Sequence, residues 1–130
     1  MVNLEEFNHA HDGVIKQIDF DFDYDFEFYN YDYNKKQEIR IIYAVSVDVQ
    51  QPNGEFKKVG YDYFRMIFNN PCSQQEPIFN IKCTFIYEIV QIESNVENYS
   101  CWRIRMCEKE QYIDIYAEDL SIEKITNPFD

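Results

Sequence analysis

The sequence predicts a mainly β protein: an antiparallel sandwich or a strongly curved sheet of five to seven strands, with room for one short helix. Two observations carry that prediction. Apolar and polar residues alternate with period two through much of the chain, the pattern of strands with one dry face and one wet face. Glycine and proline are scarce, at 3 and 4 in 130 residues, so the elements should be long and the connections few. The length suits one domain, residues 1–130, and no linker or internal repeat divides it. A hydrophobic fraction of 45%, with 11 Tyr and 11 Phe, supplies an ordinary core.

The elements follow in order. Asn3 can cap a short helix in the first dozen residues, with Glu5 and Glu6 in its first turn and Gly13 as its stop. From Val14 the period becomes two. Val14, Ile18, Phe20, Phe22, Tyr24, Phe26 and Phe28 line one side, and Asp19, Asp21, Asp23, Asp25 and Glu27 line the other. A strand of that length would run about 50 Å at ~3.4 Å per residue, so a bend, a bulge or sharing between two sheets is expected. The phase slips at Tyr29, and Asn34-Lys35-Lys36-Gln37 reads as a loop. Ile39, Ile41, Tyr43, Val45, Val47 and Val49 then alternate, giving the second strand of a long antiparallel hairpin.

Gln51-Pro52-Asn53-Gly54 is a turn, with Pro setting φ and Asn-Gly accepting positive φ. Residues 59–68 are apolar on both sides, and periodicity leaves strand and short helix open. Residues 79–92 are also apolar on both faces, which suits a central strand covered on each side. Trp102, Ile104 and Met106 alternate with Arg103 and Arg105; after a turn at residues 108–111, Ile113, Ile115 and Ala117 repeat the pattern. Residues 121–125 form a last short strand or helical turn.

Charge and motifs exclude several functions. Twenty-four acids against 12 bases give net charge −12, which opposes direct binding to DNA, RNA or an anionic membrane. The first dozen residues have neither the basic nor the apolar part of a secretory signal, and no apolar run approaches the ~20 residues of a membrane span. The cysteines, Cys72, Cys83, Cys101 and Cys107, form no CxxC pair. They are expected to be reduced thiols in a cytoplasmic protein, with one disulfide in a secreted domain as the alternative. No serine stands in a Gly-x-Ser-x-Gly setting, and His9 and His11 beside Asp12 read as surface residues. The Asp-x-Asp-x-Asp run fails as a calcium loop, because its sixth position is Tyr24 and its twelfth is Asn30. No enzyme activity, catalytic residue, metal site or cofactor is expected.

The informative stretch is residues 19–34, which hold six acids (Asp19, Asp21, Asp23, Asp25, Glu27 and Asp32) and no Lys or Arg. On a strand, alternate carboxylates stand ~6.8 Å apart on one side, and each adjacent pair repels by about 0.6 kcal/mol at the dielectric of water. One reading is a solvated face neutralised by Arg40, Lys82, Arg103 and Arg105. The other is a docking surface for a basic protein, with Tyr24, Tyr29, Tyr31 and Tyr33 as aromatic anchors. A rigid row of carboxylates also imitates the spacing of phosphates along a nucleic-acid strand.

His11-Asp12-Gly13-Val14-Ile15, leading into a strand, resembles the opening of small immunity proteins from bacterial toxin loci. Trp102-Arg103-Ile104 through Tyr112-Ile113-Asp114-Ile115-Tyr116-Ala117 is similar to their closing hairpin. The acidic ladder is no part of the resemblance. The resemblance implies a non-enzymatic inhibitor that binds one cognate toxin inside the producing cell, and it carries over no catalytic residue. The expected function is thus an intracellular inhibitor covering a basic, nucleic-acid-acting toxin with an acidic strand. One alternative is a phage anti-defence protein that mimics DNA against a host nuclease such as a CRISPR effector. Another is a small-ligand-binding β domain in which Phe20, Phe22, Phe26 and Phe28 line a pocket.

Overall fold

A computed structural model describes residues 10–21 and 37–129. These form one antiparallel sheet of seven strands: β1 (Val14–Asp21), β2 (Glu38–Gln50), β3 (Phe56–Pro71), β4 (Ile78–Asn80), β5 (Ile86–Ile92), β6 (Ser100–Met106) and β7 (Tyr112–Ile125). Their order is β1-β2-β3-β7-β6-β5, and β4 pairs with β7 off this path. The sheet is a single curved layer, so of the two expected architectures the sandwich is set aside. The helix expected in the first dozen residues falls mainly on residues 1–9, outside those described; Gly13 N donates to Ala10 O at 2.8 Å in a tight turn.

Curvature comes from places where the period-two pattern breaks. In β1 the register shifts between Ile15 and Gln17, so that Ile15 opposes Tyr43 while Ile18 opposes Ile41. Ile15 is therefore buried and takes the inward place that the alternation had given to Val14. A second shift between Ile86 and Glu88 lets both Ile86 and Ile89 face the core. In β7, Ile113, Ile115 and Ala117 are buried at odd positions and Leu120 at an even one; Glu118 and Asp119 between them are both exposed. Two consecutive outward residues change the phase, as a bulge does. The first half of β7 pairs with β6 and the second with β3, so residues 121–125 continue β7 and do not form a separate element.

Inside the curve, Ile39, Ile41, Tyr43, Met66, Phe68, Ile104, Ile113, Ile115 and Leu120 are fully or nearly fully buried. Each contributes roughly 1.5–3 kcal/mol relative to exposure. Trp102 meets Phe68 edge to face at 6.1 Å, and Tyr43 stacks on Phe64 at 5.4 Å.

The ends of the sheet meet at one point. Val14 bridges to Phe85; Asp12 N donates to Ile86 O (2.7 Å), Ile86 N to Gly13 O (2.7 Å) and Ile15 N to Thr84 O (2.9 Å). Farther along β1, the ring of Phe20 meets that of Phe79 edge to face at 5.7 Å. Phe20 is 49% exposed, so this member of the aromatic stripe sits at a rim and not in the core.

Residues 79–92 are not one central strand. They divide into β4, an irregular link and β5, and β5 lies at the end of the sheet. In the link, Gln111 Oε1 accepts from the backbone N–H groups of Lys82 (2.6 Å) and Cys83 (2.7 Å), replacing ladder partners. Residues 59–68 belong to β3, which removes the helical alternative. The β2–β3 hairpin outruns its neighbours: β1 pairing reaches only Ala44, and β7 pairing only Tyr63. The ribbon beyond leaves Val49, Phe56, Val59 and Tyr61 exposed.

Two outcomes are expected. A Cβ at position 13 would lie 2.9 Å from Ala10 O and 3.0 Å from Tyr43 Cδ2. Gly13→Ala should therefore lower stability by about 1–3 kcal/mol, read from denaturant midpoints. Burial pushes the Tyr43 phenol well above its ordinary pKa. In the unfolded chain that phenol ionises near pH 10, while the folded protein keeps its proton. Stability should thus fall above about pH 10, by up to ~1.4 kcal/mol per pH unit from this residue, and Tyr43→Phe should flatten the slope.

Candidate functional site

The candidate site begins on β1. Asp19 is half-buried and opposes Arg40 in register; Asp21 ends the strand opposite Glu38. The strand geometry expected for the start of the acidic ladder is therefore present. Asp23, Asp25, Glu27, Tyr29, Tyr31, Asp32 and Tyr33 lie outside the described residues, as do Phe22, Tyr24, Phe26 and Phe28. β1 is the terminal strand of the sheet, bonded along its length to β2 and on its other edge to the seam alone among the described residues.

Among the described residues, Asp19 is hydrogen-bonded within its own strand: Gln17 Nε2 donates to both carboxylate oxygens, at 3.0 and 2.9 Å. The arginines that could neutralise the ladder have carboxylates of their own. Arg40 Nε donates to Glu38 Oε1 at 2.8 Å on the same strand. Arg103 grips Asp114 with two bonds, at 2.8 and 2.9 Å, and its guanidinium carbon lies 4.2 Å from the Tyr112 ring centroid. Asp114 is 4% exposed, and its hydrogen bonds push the Arg103 pKa up. Arg105 bonds Glu88 at 2.9 Å and Arg65 bonds Glu123 at 2.9 Å, both across strands. These exposed pairs contribute little individually, but each occupies a cation.

Sequence reasoning missed two features. One is the seam itself, built from the His11-Asp12-Gly13 segment. His11 Nδ1 lies 2.9 Å from Tyr87 O, so that nitrogen carries the proton and donates; the ring meets Tyr87 edge-on at 5.3 Å. His11 Nε2 is 3.5 Å from the Asp12 carboxylate. Asp12 takes positive φ (64°), which an Asp tolerates better than most residues. In this setting the motif joins strands. Its signal in the sequence was visible, but its partner segment lies far along the chain.

The other is the projecting hairpin, where Lys58 Nζ donates to the Tyr61 hydroxyl at 3.0 Å and sits 4.9 Å from the ring centroid. That contact raises the Lys58 pKa and lowers that of Tyr61. The valine alternation of β2 runs on past the ends of the neighbouring strands, so Val45 packs against the core while Val49 is exposed.

Among the described residues no group of three or more His, Cys, Asp or Glu side chains could hold a metal ion. No helix among them is long and apolar enough to cross a membrane. The described cysteines are free thiols. Comparison of the chain with family models, with curated proteins and with solved structures gives no match.

Asp114→Ala should leave Arg103 partly buried without its carboxylate. A loss of about 2–3 kcal/mol is expected, below the range for fully buried pairs because Arg103 keeps some contact with water. Thermal melts of the single variants and of the double variant Arg103→Met/Asp114→Ala would measure it, and the double variant should recover part of the loss.

Proposed function

We propose that the protein is a non-enzymatic inhibitor, of the immunity type, that binds a basic partner through the acidic strand begun by β1. The cognate partner would be a nucleic-acid-acting toxin, whose cationic substrate surface the carboxylates cover. The observation that carries this reading is the position of Asp19: on a terminal strand, hydrogen-bonded within that strand, and followed by the densest run of acids in the chain. Net charge −12 favours rapid, salt-sensitive association with a cation-rich protein and opposes competing nucleic acid. The cross-strand pairing of Arg65, Arg103 and Arg105 with Glu123, Asp114 and Glu88 supports it further, because those cations are engaged within the sheet.

Binding to the product of the adjacent gene tests the reading. Calorimetry at low and high salt should give an affinity that weakens as salt rises. Replacing Asp19, Asp21 and Asp23 by Lys should weaken it by about tenfold or more per residue, ~1.4 kcal/mol each, with an unchanged melting profile. Affinity that ignores both salt and the three reversals would sink the proposal.

A further inference from the structure

Two of the four thiols converge on the seam. Cys83 lies half-buried in the link between β4 and β5, and Cys107 is exposed just after β6. Both are tied to one residue. Phe85 N donates to Cys83 Sγ at 3.4 Å, and Cys107 N donates to Phe85 O at 2.9 Å. Cys83 Sγ is 3.9 Å from that same oxygen, so one carbonyl oxygen separates the Cys83 sulfur from the Cys107 backbone. The Cys107 sulfur is turned toward Ile86 O (3.5 Å) and Asp12 Oδ1 (3.9 Å). Those are weak thiol contacts, which rotation about one side-chain bond releases. An open groove of ≈ 350 Å³, lined by Lys82, Cys83, Thr84, Phe85, Glu108 and Gln111, gives solvent access beside Cys83. Cys72 and Cys101, by contrast, are buried at 2% and 0% exposure.

We propose that Cys83 and Cys107 are an oxidation site, joined by a peroxide into an intramolecular disulfide that latches the seam. Cys107, the more exposed, reacts first. Its thiolate takes one oxygen from hydrogen peroxide, becoming a sulfenic acid as the other oxygen leaves as hydroxide. The Cys83 thiolate then attacks that sulfur; the S–S bond forms and a second hydroxide departs. The two thiol protons convert the hydroxides to two waters, and the two electrons lost by the sulfurs reduce the peroxide. The product ties the β4–β5 link to the β6–β7 turn, beside the bonds that hold Asp12 and Gly13 to Ile86. Burial, then Asp12, Cys83 itself and Glu108, hold the Cys107 thiol above its ordinary pKa. The latch therefore sets slowly at neutral pH and faster as pH rises, because the thiolate is the reactive form.

The test treats the full native chain with hydrogen peroxide across a pH series and maps its peptides without reduction. The expected product is monomeric, has lost two hydrogen atoms, links the Cys83 peptide to the Cys107 peptide, and leaves Cys72 and Cys101 alkylatable after unfolding. Its melting temperature should rise by several degrees and return on reduction by dithiothreitol. Cys83→Ser should give no cross-link and leave Cys107 to advance to sulfinic acid. A link that forms only in denaturant, a different pairing, or a wild-type Cys107 that overoxidises without joining Cys83 would each overturn the assignment. Should Cys83→Ser fail to fold, the wild-type peptide map decides alone. None of these results depends on the partner proposed above.

Discussion

Among the described residues, the antiparallel bridge from Val14 to Phe85 and the backbone hydrogen bonds beside it hold the two ends of the curved sheet against each other. Curvature brings those ends together, and the bridge keeps them there, so Ile15 and Ile86 can be buried side by side with the core. The backbone groups at a sheet end need partners or water. Here Asp12, Gly13 and Ile15 take theirs from Thr84 and Ile86. The close approach of Gly13 to Tyr43 admits no larger residue without movement, and the positive φ of Asp12 turns the chain into β1. Bulges in β1 and β5 and the phase change in β7 supply the bending that makes this meeting possible.

Electrostatics follows from the same geometry. Neighbouring strands place Arg103 beside Asp114, Arg105 beside Glu88 and Arg65 beside Glu123. Pairing in register consumes arginines locally, within the sheet, while the acids of the segment that begins at Asp19 have no lysine or arginine between them in sequence. A molecule with half of its net negative charge concentrated in one stretch presents a strong local field even where isolated surface pairs contribute little. Buried polar groups elsewhere show the cost of tight packing: the indole N–H of Trp102, 3% exposed, finds no acceptor among the described residues. Its edge-on contact with Phe68 offsets part of that loss.

Several elements were legible from alternation alone. Ile39, Ile41 and Tyr43 line the core face of β2 as their spacing says, and so do Trp102, Ile104 and Met106 in β6. Where alternation misled, a local defect intervened. The bulge at residues 15–17 exchanged Val14 for Ile15, and the outward pair Glu118-Asp119 made one long strand look like two. Residues 79–92 looked continuous because apolar residues fill both the link and β5, and the side chain that satisfies the link, Gln111, lies beyond the next two strands in sequence. The candidate site is read from the sequence as an acidic run of period two, and β1 carries its first members, Asp19 and Asp21, in strand form. Most of its residues lie outside the described part of the chain.

The sequence by itself determined the strand content, the inward residues of the regular strands and the concentration of negative charge, because each of these depends on neighbours one or two positions away. Only the tertiary structure decided that the layer curls until Val14 meets Phe85, that the tip of the β2–β3 hairpin stands uncovered, and that Cys83 and Cys107 are both tied to Phe85. Those outcomes depend on strand order and relative length, quantities set by contacts between residues seventy positions or so apart, and no short-range pattern encodes them.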